Sequence, residues 1–154
     1  MAVSGTPGLT PMGLRLTLAI SGLSVAHHVD HVLRGVTGWP LAGGFNPFTM
    51  SLLVYPAILA GLLLSRQGWA GARFWALLAG GGAAFVLAVH VGPGAGDSAS
   101  SIPGQYDSPL ADVTALAVLG AFFVFLVAHC CYEARRAAVS GAVDGEGPSR
   151  PEAR

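Results

Sequence analysis

The stretch MGLRLTLAISGLSVAHHVDHVLR, residues 12–34, decides how this chain is to be read. At about 1.5 Å of rise per helical residue it is long enough to cross a hydrocarbon core of roughly 30 Å. Its first half is mostly apolar, and its second carries His27, His28, Asp30, His31 and Arg34. Hydrocarbon penalises an Asp or Arg at a helix centre by roughly 2.5–3.5 kcal/mol on insertion scales. Such a cluster therefore requires partner groups, a water-filled cavity or a ligand.

The remainder of the chain supports a membrane reading. Of 154 residues, 53% are hydrophobic and 10% charged, against about 25% charged in soluble domains. A soluble fold of this size could not hide that much apolar surface. Net charge is zero, there is no Lys, and the arginines form no basic run, so nucleic-acid binding has no electrostatic support. Cys130 and Cys131 are adjacent; neighbours on a helix diverge by about 100°, which disfavours a disulfide between them. No P-loop, G-x-S-x-G, H-E-x-x-H or C-x-x-C-H occurs, which removes the soluble-enzyme motifs and covalent haem attachment.

The apolar runs predict an all-α, polytopic integral membrane protein: a four-transmembrane-helix bundle over residues 12–132, with helices at about 12–34, 48–65, 73–92 and 109–133. Residues 1–11 read as a short cytoplasmic segment and 133–154 as a disordered cytoplasmic tail, too poor in apolar residues to fold alone. Asn46-Pro47 and Ser108-Pro109 place an N-cap before a Pro at the first helical position. Pro56 predicts a kink and a freed backbone carbonyl. Gly80, Gly81 and Gly82 read as a close helix contact. Arg15, Arg66, Arg73, Arg135 and Arg136 lie on one side, while the third loop carries Asp97 and Asp107 without a basic residue. The positive-inside rule then puts both termini in the cytoplasm of a plasma-membrane protein. Trp39, Phe45 and Phe48 would form the outer aromatic belt, and Trp69, Phe74 and Trp75 the inner one. A competing parse treats Arg15, residues 16–23 and Ser24-Val25-Ala26 as a cleaved signal peptide; the long, nearly uncharged segment before the apolar core argues against it.

Helical spacing turns the polar cluster into a surface. His27, Asp30, His31 and Arg34 share one stripe with Ser24, and His28 lies beside it. His27 and His31, at i and i+4, can chelate one ion from a single helix. Asp30 and Arg34, also i and i+4, can neutralise one another. The third helix brings His90 to the same membrane depth, near the outer-side residues Asn46, Asp97, Tyr106, Asp107 and Asp112. The expectation is an extracytoplasmic site in which His27, His31 and His90 bind a metal ion or a non-covalent haem. Asp30 would be a fourth ligand or orient an imidazole, with Arg34 and His28 supporting. His129 belongs to the opposite end, at the interface with Tyr132.

Two other readings use the same residues. A metal-free pocket would bind a lipid or quinone, with Asp30 or a histidine moving protons. A non-catalytic subunit or assembly factor would use the cluster for packing, with Asp30 on Arg34 and histidines on the carbonyls freed by Pro56. The expected partners are the bilayer, a second copy or other membrane proteins.

Overall fold

The computed structural model describes residues 8–35, 44–93, 95 and 97–145. Trp39, most of the N-terminal segment and the last residues of the tail lie outside them. The described residues are helical, without strands: α1 (Pro11–Arg34), α2 (Pro47–Ser51), α3 (Val54–Arg66), α4 (Ala72–His90) and α5 (Pro109–Gly145), with a short 3-10 turn at Ala99–Ser101. Three helical segments are long and apolar enough to cross a membrane: Pro47–Arg66, Ala72–His90 and Pro109–Ala142.

Local chemistry accounts for the boundaries. Thr10 caps α1 by accepting from Gly13 N–H, and Gly35 ends it in the left-handed region at φ 60°, its N–H returning to the His31 and Val32 carbonyls. Only glycine adopts that conformation without a steric cost. Asn46 and Thr49 form a reciprocal capping box on α2. The expected Pro56 kink is instead a break at Leu52–Leu53, which places Pro56 in the first turn of α3. There its missing N–H costs little. The Leu52 carbonyl is not left free, because it accepts from Tyr55 N–H.

α5 continues through Glu133 to Gly145, where the sequence reading began the tail. Arg136 stabilises this extension by donating to Glu133, three residues back, and to the Gly8 carbonyl.

α5 packs between α1 and α4. Each of the three helices presents a seam with steps of three and four residues. On α1 it is Gly13, Thr17, Ile20, Ser24, His27 and His31. On α4 it is Ala72, Trp75, Ala79, Ala83, Val86 and His90. On α5 it is Ala115, Leu119, Phe122, Leu126, His129 and Glu133. Small residues on α4 let the helices approach: a Cβ at Gly82 would stand 3.2 Å from Leu126, and one at Gly80 would stand 3.1 Å from Cys130 Sγ. The loop after α4 folds back across one end of the bundle and drops Ile102 into the core, fully buried. The segment Pro47–Arg66, which contains α2 and α3, is the least buried of the three apolar segments.

α1 is polar inside and apolar outside. Thr17, Ser24, His27, His28, Asp30 and His31 are buried, while Leu18, Val25, Val29, Val32 and Leu33 are exposed. Trp75 also departs from expectation. It is buried in the core, not in a belt, with its indole N–H satisfied by Ser65 Oγ at 2.9 Å. Phe48, expected in the outer belt, is likewise buried, against His28 and His31, whereas Trp69 and Phe45 are exposed, as belt residues would be.

Candidate metal centre

The seams of α1 and α4 end in histidines at the same end of the bundle. The structure brings His27, His31 and His90 together there, all buried. His27 Nε2 lies 3.1 Å from His31 Nε2 and 3.1 Å from His90 Nε2. One ring nitrogen from each residue falls within 4.8 Å of the other two. Nitrogens bound at about 2.0–2.1 Å around a tetrahedral ion stand about 3.3–3.4 Å apart, so this spacing is close to that of three ligands on one centre.

The far side of each ring decides what the cluster can do. His90 Nδ1 lies 2.6 Å from the Asp97 carbonyl oxygen. A carbonyl only accepts, so Nδ1 carries the proton and Nε2 presents its lone pair to the cluster. His31 Nδ1 lies 3.3 Å from the Asp97 carboxylate, which favours the same tautomer. His27 Nδ1 has no hydrogen-bond partner among the described residues. Two lone pairs thus converge on His27 Nε2, which could donate one proton to one of them. A cation among the three nitrogens would satisfy all of them.

Charge around the cluster favours a cation. Arg34 donates to both Asp97 oxygens, at 2.8 and 2.9 Å, and through Nε to Asp30 at 2.9 Å. Gln105 accepts a further bond from Arg34 at 3.0 Å. One guanidinium against two carboxylates leaves a net single negative charge beside the imidazoles. Burial by itself would raise the Asp97 carboxyl, but the Arg34 guanidinium outweighs this and holds it below the ordinary carboxylate range.

Asp30 does not join the histidines, contrary to expectation. Its oxygens go to Arg34 and to the Tyr106 hydroxyl, which donates at 2.6 Å. Burial, then the bond to Asp30, pushes the Tyr106 phenol up to about 12. Asp112 does more than face a helix N-terminus: it accepts from the Gly104 and Tyr106 backbone N–H groups. The folded-back loop therefore supplies the carboxylate that approaches the imidazoles, Asp97, and ties itself to α1 through Tyr106. The sequence signal for Asp97 was only an acid in the loop expected at the same end as Arg34, which the spacing had already paired with Asp30. Its partnership with His31 and His90 was not legible.

His28 stands apart. Ser51 donates to the Phe48 carbonyl, so its oxygen accepts from His28 Nε2–H at 2.7 Å. His28 Nδ1 then accepts from the Tyr55 hydroxyl at 2.7 Å. Both nitrogens are spent holding α1 to α2 and α3, so His28 packs helices and does not complete the cluster. The carbonyl that Pro56 would have freed, that of Leu52, accepts from Tyr55 N–H instead.

His129 is buried rather than interfacial. It stacks on Trp75 and lies 3.7 Å from Glu133, while Tyr132 bonds to Thr10. Comparison with protein-family models, curated proteins and solved structures finds no match for this chain.

Proposed function

We propose that this is a four-span plasma-membrane protein, with both termini cytoplasmic, that holds one divalent first-row metal ion on His27, His31 and His90 near its extracytoplasmic end. The convergence of three buried Nε2 atoms carries the reading, with His90 and His31 oriented from behind by Asp97. Metal-binding histidines almost always have such a partner on the other nitrogen. An all-imidazole donor set suits zinc, copper or nickel. Three protein ligands leave a fourth position open, the pattern of sites that bind or activate a further ligand.

A free ion fits better than haem. Axial imidazoles on opposite faces of a macrocycle would stand about 4 Å apart at metal–nitrogen distances near 2.0–2.1 Å. His27 and His90 are closer than that, with His31 against the same atom.

The inverted surface of α1 supports a fourth span. Buried polar and exposed apolar faces are costly in water and favourable in hydrocarbon. The inward-facing polar side chains also make α1 less hydropathic on average than α3, α4 and α5.

The test is elemental analysis and an absorbance scan on protein purified in lipid nanodiscs. The expected result is one metal equivalent per chain, lost in His31→Ala, with no Soret band. Metal-free wild-type protein that also fails to take up added zinc would refute the reading. For topology, Ser98→Cys in a Cys130→Ser/Cys131→Ser background should react with an impermeant maleimide on intact cells. Ser140→Cys should react only after permeabilisation.

A further inference from the structure

A cavity of about 380 Å³ lies between α3 and the other helices, within the range of roughly 300–1,000 Å³ typical of small-molecule sites. One end is closed by His27, His31 and His90, and the other reaches Trp75 and His129. Its body is apolar, formed by Ile58, Val86, Phe122 and Leu126 among others. The hydroxyls on its wall have partners: Thr17 donates to the Gly13 carbonyl and Ser51 to that of Phe48, while Ser24 lies 3.3 Å from the Tyr55 hydroxyl and 3.4 Å from His28 Nδ1. From Phe122, beside His27, to His129 is seven residues of α5, or about 10 Å of rise.

The cavity extends to the outer surface of the bundle. Leu53, before α3, and Leu77, on α4, both line it and are both exposed. In a bilayer this opening faces acyl chains. Gly81 lies on the same rim. Helix packing accounts for Gly80 and Gly82, whose added Cβ atoms would press on α5, but a Cβ at Gly81 would meet nothing within 4 Å. A glycine inside a helix costs about 1 kcal/mol relative to alanine, and at Gly81 no close contact offsets that cost. Its missing side chain keeps the opening clear.

We propose that the cavity admits a single-chain amphiphile from the bilayer between α3 and α4. Its oxygen head group would take the fourth position on the metal held by His27, His31 and His90, and its chain would run along Leu126 toward His129. This rests on the metal reading above. The body between the two ends is mainly apolar, formed by Ile58, Val86, Phe122 and Leu126, and this favours the chain of the amphiphile there and its head group at the histidine cluster. The lateral opening favours a ligand delivered from the bilayer.

The experiment uses the full chain in lipid nanodiscs, loaded with Co(II), whose visible d–d bands report its ligands. Decanoate is expected to shift these bands while acetate at the same concentration does not; decanol in place of decanoate distinguishes a carboxylate from a neutral oxygen head. Gly81→Leu, and separately Leu53→Trp on the opposite rim, should keep the Co(II) bands and weaken the decanoate response by about tenfold or more, a factor of 1.4 kcal/mol. Retained bands show that each variant is folded and loaded. Normal Co(II) bands that respond equally to acetate, or a decanoate response unchanged in both variants, would overturn the proposal while leaving the metal site intact. Absent Co(II) bands would instead refute the metal reading. In that case a decanoate carrying a tail diazirine decides the cavity: crosslinks at Ile58 or Leu126, lost in Gly81→Leu, support occupancy, and crosslinks elsewhere overturn it.

Discussion

Replacing Asp97 with Asn keeps the side-chain shape and the backbone carbonyl that orients His90, and removes only the carboxylate charge. Three interactions change. His31 Nδ1 loses the anion 3.3 Å away, and His90 Nδ1 the same anion at 3.6 Å. Arg34 loses one of its two paired acids and keeps Asp30. The net charge of Arg34, Asp30 and Asp97 together goes from −1 to zero. Removing a partner behind a metal ligand typically weakens affinity by about 10–100-fold, or roughly 1.4–2.7 kcal/mol. Because His90 keeps its carbonyl acceptor at 2.6 Å, His31 carries most of the effect, and zinc should still bind at one equivalent. The assay is competition with a chromophoric chelator in nanodiscs, with helix content checked by circular dichroism. Ser98→Ala is the control, since that hydroxyl bonds only within its own exposed turn. Zinc affinity in Asp97→Asn within about twofold of wild type, or an equal loss in Ser98→Ala, would refute the assigned role of the carboxylate.

Three further outcomes follow from the same geometry. His28→Phe should retain one metal equivalent and lose about 1–3 kcal/mol of stability, because two buried hydrogen bonds to Tyr55 and Ser51 disappear; metal loss would place His28 in the site after all. Tyr106, raised to about 12 by burial and by Asp30, binds its proton more tightly folded than unfolded. Its stabilisation is therefore complete below the unfolded value near 10 and is lost as pH rises through about 12; Tyr106→Phe should remove that alkaline step from thermal melts followed against pH. Gly61→Ala would bring a Cβ to 2.5 Å from Phe74 and 2.9 Å from Trp75, forcing α3 away from α4 at a cost of about 1–3 kcal/mol, read as a lower melting temperature with the metal content unchanged.

Helix type was legible where the physics is local. The cap at Asn46-Pro47, the long apolar runs and the i, i+4 spacing of His27 with His31 depend on neighbours in the chain and could be read directly. The break at Leu52–Leu53 was harder: a proline kink can be absorbed before the proline, by beginning a new helix there. The inward turn of His129 was missed although its α5 seam runs through Leu119, Phe122 and Leu126 at the same spacing; a polar residue near a helix end was read by its chemistry rather than its register. Trp75 was misplaced for the same reason, with a hydroxyl ten residues away satisfying its N–H.

The amino-acid sequence alone determined that this chain is helical, that its apolar segments match a bilayer in length, and that His27, Asp30, His31 and Arg34 share one face of α1. Periodicity and composition act within a few residues and need no tertiary information. Only the tertiary structure decided which acid approaches the imidazoles. Asp97 reaches them across 63 residues of sequence from Arg34, because Ile102 anchors the loop over the bundle end and Arg34 draws its carboxylates together. It also decided that three ring nitrogens converge at the head of an apolar cavity, since that depends on where α4 crosses α1 and how far α3 stands from both.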